Sequence, residues 1–183
     1  MSAPPTRADA GWIPEFRAGY DVWAPSALPL IRAHQYGEAF KSYPFPAFAE
    51  TPWAPFAEPF SRVRLAVVTT AGVYRPGVDP PFPDTEEGDP RVLELPADVR
   101  LADVDVSHAH IPQDVARADM NVVLPLDRLR ELVGEGKLGG LAPRIISVVG
   151  YRTRAHDVAR DTAPAIARTL VEDGAALALV VPV

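Results

Sequence analysis

Three short apolar runs constrain this chain most: "RVRLAVVTTAG" from Arg62, "RIISVVG" from Arg144 and "GAALALVVPV" from Gly174. Each is rich in β-branched residues and too short for a buried helix, so each predicts a strand. Amphipathic segments alternate with them. "LPLDRLRELVGEGKLGG" lines up Leu126, Leu129, Leu132 and Val133 as one helical face and ends on glycines 134, 136, 139 and 140. "TAPAIARTLVEDG" sets Ala163, Ile166, Ala167, Leu170 and Val171 on another face, with Thr162 as its N-cap and Gly174 beyond its end. Buried strands alternating with such helices predict an α/β fold: a mostly parallel sheet with flanking helices. The terminal strand, Ala175 to Val181, is apolar on both faces and predicts a place in the sheet interior.

The α/β domain is expected over residues 61–183, preceded by a Pro/aromatic-rich N-terminal arm over 1–60. Proline makes up 21 of 183 residues, more than twice the usual share of about 5%. The arm carries Trp12, Phe16, Tyr20, Trp23, Tyr36, Phe40, Tyr43, Phe45, Phe48, Trp53, Phe56 and Phe60. Disordered tails are poor in aromatics, so the arm predicts helices packed on the core, over Pro14 to Trp23 and over Leu28 to Phe40. Residues 75–98, with six prolines and a carboxylate cluster, predict a long surface loop of little regular structure, a functional lid or a disordered segment. A brief strand is expected from Asn121 to Leu124, and "DVDVSHAH" alternates as a half-wet strand does.

The net charge is −6, and no basic cluster appears, which speaks against nucleic acid as a partner. The opening "MSAPPTRADAGW" lacks the basic and apolar regions of a secretory signal, and no apolar run approaches the ~20 residues that cross a bilayer. A cytoplasmic protein without a membrane partner is expected. There is no cysteine, hence no disulfide, thiolate metal site or cysteine nucleophile in these residues.

In an open α/β sheet, ligands sit beyond the carboxyl ends of the strands. Candidate loops are Thr69 to Tyr74, Ser107 to Pro112 and Gly150 to Arg154. His108 and His110, two apart, would share a face if their strand persists, and their imidazoles suit contacts to a carboxylate substrate or ordinary structural hydrogen bonds. No third ligand stands at convincing spacing, so no metal is expected. Thr69, Thr70 and Gly72 could offer hydroxyls and N–H groups to an anion, or simply turn the chain; neither dinucleotide nor phosphate-loop glycine patterns occur. "DTEEGD" lacks a calcium-loop pattern and reads as solvated. Ser107 beside His108 is not a catalytic pair, because no nucleophile elbow surrounds it.

Several stretches together resemble the selenoprotein B family of glycine, sarcosine, betaine and D-proline reductases: "RVRLAVVTTAGVY", "DPPF", "GDP...ELPADV", "VSHAH", "NVVLPLDRLRELVGEGKLGGLAPR", "VVGY" and "TAPAIARTLVEDGAALALVVPV". The resemblance covers roughly residues 45–183. It implies that the final strand leads into a redox-active selenocysteine or cysteine expected after Val183, with no catalytic residue in the 183 themselves; a UGA codon read as a stop would yield this end. It implies reductive C–N cleavage by a selenol or thiol nucleophile on a small amino acid or betaine, a pyruvoyl group on a partner subunit, and thiol carrier proteins as further partners. His108 and His110, with Thr69, Thr70 and Gly72, are the substrate-binding candidates. The alternative is a noncatalytic ligand-binding or assembly subunit of the same fold; a metal-dependent hydrolase built on the histidine pair is remote.

Overall fold

The computed structural model describes residues 11–48 and 54–183; the expectations for the first ten residues and for Trp53 lie outside them. Among the described residues six strands form in chain order: β1 (Arg64–Thr69), β2 (Val73–Tyr74), β3 (Leu93–Pro96), β4 (Asp105–Val106), β5 (Gly140–Ser147) and β6 (Leu177–Val181). The main sheet has the order β3-β5-β1-β6. β1 runs parallel to β5 and β6, while β3 is antiparallel to β5. β2 and β4 make a separate two-stranded antiparallel pair. The fold is therefore α/β with a mostly parallel central sheet and flanking helices.

One sheet face is closed by helix α4 (Leu126–Gly134), which places Leu126 and Leu129 against Val67, Leu95 and Ile145. On the other face Ala66 and Ile146 are fully buried. Arg144, on the same side of β5 as Ile146, bonds the Thr169 carbonyl and the Asp173 carboxylate at the end of helix α6 (Ala163–Glu172), which draws that end of α6 onto the sheet. Gly174, at φ +69°, turns the chain out of α6 as expected. Pro143 lies within β5, and the β1 to β5 register slips between Leu65 and Val67, since a residue without an N–H cannot complete the ladder.

The aromatic arm builds a second core. Helix α1 (Trp12–Arg32) buries Phe16, Tyr20, Trp23, Ala27 and Ile31, one side of a 3.6-residue repeat, and helix α2 (Tyr36–Ala39) adds Ala39. Tyr151 and Ala155 of the α/β domain pack on the same cluster. Trp23 Nε1 donates to the Ala39 carbonyl (2.7 Å), Tyr43 to the Thr153 carbonyl (2.6 Å) and Tyr20 to Glu87 (2.7 Å). These bonds tie the arm to itself and to the domain.

Several elements differ from the sequence expectation. One helix runs from Trp12 to Arg32 in place of the first of two and the start of the second, because Pro25 and Pro29 lie on its exposed side. The carbonyls they leave without donors, those of Asp21 and Pro25, face water there. The loop expected over 75–98 contains β3, whose "LELP" pairs along β5. Asn121–Leu124 is no strand: Asp119 caps a 3₁₀ turn (Met120–Val122), and Leu124 N–H bonds the Met120 carbonyl. Thr162 is no N-cap either. The helical path starts at Ala155 as α5 (Ala155–Asp157) and passes through a π-type segment (Val158–Thr162) into α6. Of the stripe expected in α6, Ala163 and Ala167 are exposed and Val171 is 73% exposed. β6, expected in the interior, pairs among the described residues with β1 alone and forms a sheet edge with Val180 56% exposed. Apolar composition allows an interior position; the crossover geometry set an edge one.

Candidate functional site

Three strand ends are clipped together at the carboxyl edge of the sheet. Val148 N–H bonds the Thr69 carbonyl (3.0 Å), Gly72 N–H the Val148 carbonyl (2.9 Å), and Ser107 N–H the Gly72 carbonyl (2.9 Å). Gly72 permits this contact: its φ is +66°, and a Cβ there would lie 2.6 Å from the Ser107 carbonyl oxygen. The segments that follow β4 and β5 thereby border a cavity of about 170 Å³, lined among others by Ser107, His108, His110, Val149 and Tyr151.

The proline-rich loop closes the other side with Phe82, Asp84 and Gly88. Ser107 Oγ donates to the Phe82 carbonyl (2.7 Å). Gly88, at φ +81°, presses so closely on Tyr151 that a Cβ would overlap its carbonyl oxygen at 1.8 Å. The loop is thus held against the cavity by backbone contact that tolerates no larger residue.

His108 and His110 both face this cavity, though not as neighbours on a strand. β4 stops at Val106, and the histidines occupy the turn that follows. His108 is 3% exposed; its Nδ1 accepts from the His110 backbone N–H (3.2 Å), and its carbonyl accepts from Gln113 Nε2 (3.0 Å). A neutral imidazole that accepts at Nδ1 carries its proton on Nε2. That Nε2–H has no partner among the described residues and is buried. His110 lies over Tyr151 at 3.9 Å between ring centres, and Tyr36 of α2 meets its other side at 5.1 Å. Its Nε2 is also buried without a hydrogen bond, 3.8 Å from Asp84 Oδ1. Burial holds both imidazoles below their ordinary range. His110 depresses His108 further, while Asp84 partly offsets the effect on His110.

Such a pair, neutral near pH 7, includes one buried donor fixed in tautomer, that of His108. It suits a carboxylate oxygen better than a metal: His108 Nε2 carries a proton in place of a free lone pair, and no group of three metal-ligating side chains occurs among the described residues.

The other candidates stand outside the cavity lining. Thr69 is fully buried; its hydroxyl donates to the Val123 carbonyl (2.7 Å) and accepts from Ala71 N–H (3.2 Å). Thr70 Oγ1 accepts from Val183 N–H (2.9 Å), bracing the end of β6 at the same sheet edge. Gly72 contributes its tight turn. Of the expected ligand loops, Ser107 to Pro112 and Gly150 to Arg154 reach the cavity, the latter with Tyr151; Phe82, Asp84 and Gln113 were not read from the sequence as cavity residues. The signal within reach was the length and rigidity of the 75–98 loop, which already suggested a lid.

The fold defines an α/β protein with a small polar cavity at the carboxyl edge of its sheet. The family model for glycine/sarcosine/betaine reductase selenoprotein B (GRDB) matches residues 24–181, and the chain belongs to that family. It is 32% identical over 122 residues to the D-proline reductase subunit gamma of Acetoanaerobium sticklandii, covering 67% of this chain and 49% of that protein. It is 29% identical over 155 residues to the sarcosine reductase complex component B subunit beta of Peptoclostridium acidaminophilum, covering 81% and 34%. To the glycine reductase complex component B subunit gamma of Carboxydothermus hydrogenoformans it is 30% identical over 148 residues, covering 75% and 32%. The matches thus span between a third and a half of these relatives' lengths. No solved structure matches. Among the described residues, no helix is long and apolar enough to cross a membrane.

Proposed function

We propose that this chain is the substrate-holding part of a selenoprotein B-type reductase subunit, working in the cytoplasm within a multisubunit complex on a small amino acid or betaine. The observation that carries the reading is the buried, unpartnered Nε2–H of His108, a residue in the wall of a cavity at the carboxyl edge of the sheet, in a family whose relatives are named as amino-acid reductase subunits. The selenocysteine or cysteine expected beyond Val183 would supply the nucleophile for C–N cleavage, a partner's pyruvoyl group would hold the substrate, and thiol carriers would restore the reduced state. Thr70 braces the end of β6, so a residue just beyond it would stand at the same edge as the cavity.

This chain's own residues would bind and orient. His108 Nε2–H donates to a substrate carboxylate oxygen, and the amide of His110 keeps the tautomer that makes the donation possible. Phe82, Val149 and Tyr151 give the cavity part of an apolar wall, and a bond made beside such a wall is stronger than one in open water. His110, beside a carboxylate that favours its protonated form, is placed to pass a proton to a departing amine once it has itself taken one up. The alternative, a noncatalytic ligand-binding or assembly subunit, uses the same cavity and arm without a redox residue, in keeping with the absence of cysteine.

The test is reconstitution from the native host. Intact mass of the gene product and amine release from glycine, sarcosine, betaine and D-proline are measured with the partner subunits and a dithiol present. The expected outcome is a product heavier than 19.8 kDa carrying selenium or cysteine, with amine release that His108→Gln lowers on the order of 100-fold. A native mass of 19.8 kDa without amine release from any of the four moves the assignment to the binding subunit.

A further inference from the structure

We infer that Asp84 is a specificity residue: together with His108 it forms a two-ended site for a small zwitterion whose nitrogen bears at least one N–H. The inference rests on the substrate reading above and adds to it a residue and a selectivity.

The carboxylate end is His108 Nε2–H, a donor fixed in tautomer by the His110 amide and without a partner of its own. The opposite charge comes from the proline-rich loop. Asp84 lines the same cavity, its side chain 57% exposed at the mouth, and among the described residues its nearest basic neighbour is His110 Nε2 at 3.8 Å, beyond hydrogen-bond reach. Burial keeps His110 neutral near pH 7, so it does not neutralise the carboxylate. The neighbouring loop charges are engaged elsewhere: Asp89 with Arg91, Glu86 with Arg32, and Glu87 with Tyr20 and Arg154. Asp84 is therefore a carboxylate without a cation, on the same cavity as His108, whose buried Nε2–H is a donor without an acceptor.

A volume of about 170 Å³ admits a ligand of only a few heavy atoms, and both Asp84 and His108 line it. The contact of Gly88 with Tyr151 holds the loop at a set distance from the histidine turn. An ammonium N–H makes a charge-assisted hydrogen bond to a carboxylate; a trimethylated nitrogen has no hydrogen to donate and keeps only diffuse attraction. Asp84 thus separates amino acids with primary or secondary nitrogen from their quaternary analogues, which His108 alone cannot do.

The experiment is calorimetric titration of the 183-residue chain with acetate, glycine, N-methylglycine and N,N,N-trimethylglycine. Glycine and N-methylglycine are expected to bind about tenfold or more tighter than acetate, and N,N,N-trimethylglycine no tighter than acetate. Asp84→Asn brings glycine down to the level of acetate without weakening acetate, while His108→Gln weakens all four. If wild type binds acetate and glycine but Asp84→Asn leaves the ratio of glycine to N,N,N-trimethylglycine unchanged, the role of Asp84 is overturned and the substrate reading survives. If wild type binds none of the four, the cavity is not a substrate site and both fall. Circular dichroism checks the fold of Asp84→Asn; should it misfold, the order of the four affinities in wild type settles the selectivity alone.

Discussion

His108, His110 and His156 are held below the ordinary imidazole range, in each case first by burial, and that links the stability of the fold to pH. His156, 2% exposed, sits against Phe16 and Tyr20 where the arm meets the domain, with Asp157 favouring its charged form and Arg154, Arg17 and Arg160 opposing it. Below about pH 6.5 the unfolded chain binds protons at these positions that the folded chain refuses. Their contribution is complete above that value and is lost as pH falls through it toward the folded pKa values. The expected result is a Tm that is level from pH 8 to 7 and falls between pH 6.5 and 5. Asp79, Asp89 and Asp157, held low mainly by Arg75, Arg91 and Arg154 against the opposing effect of burial, act in a separate window below about pH 4. A Tm unchanged down to pH 5 would show the three imidazoles to be solvated. At this scale the sequence made the SHAH pair visible as chemistry. It did not show the tautomer, which depends on a turn closing from His110 N–H to His108 Nδ1 where alternation suggested strand.

Among the elements, α1 was legible as an amphipathic helix because Phe16, Tyr20, Trp23, Ala27 and Ile31 recur every three to four residues. Its length was not. Two prolines that would stop a helix in a buried setting are tolerated where the carbonyls they orphan face water. Trp23, 3% exposed, fills the centre of the arm's core and meets Tyr20, Phe40 and Tyr43 at ring separations of 4.9 to 5.7 Å. Trp23→Ala removes that volume and the bond to the Ala39 carbonyl, so urea unfolding should show a loss of about 3–5 kcal/mol. A loss below about 1 kcal/mol would mean that the arm is undocked in solution. The brief segments, β3, β4 and residues 119–124, were the poorly read ones. With two to six residues each, their conformation follows from which neighbour supplies a hydrogen bond.

For the whole molecule, the sheet edge at β6 matters most. An unblunted apolar edge is a template for further pairing, and β6 presents Ala178 and Val180 to solvent near the exposed Val183. Sedimentation velocity on the isolated chain should therefore show concentration-dependent association, and Val180→Lys should abolish it without lowering Tm; a wild-type chain that stays monomeric at every concentration would contradict this. The sequence by itself determined the fold class, since strand and helix periods are written in the spacing of apolar residues, and it determined the family, since matching segments recur in order over most of the chain. It also marked the histidine turn and the rigid loop. Only the tertiary structure placed β6 at the edge, joined the arm to the domain through Tyr151, and brought Asp84 and His108 to the wall of one cavity. Those pairings link residues dozens of positions apart through close backbone contacts at Gly72 and Gly88, and local spacing carries no information about such contacts.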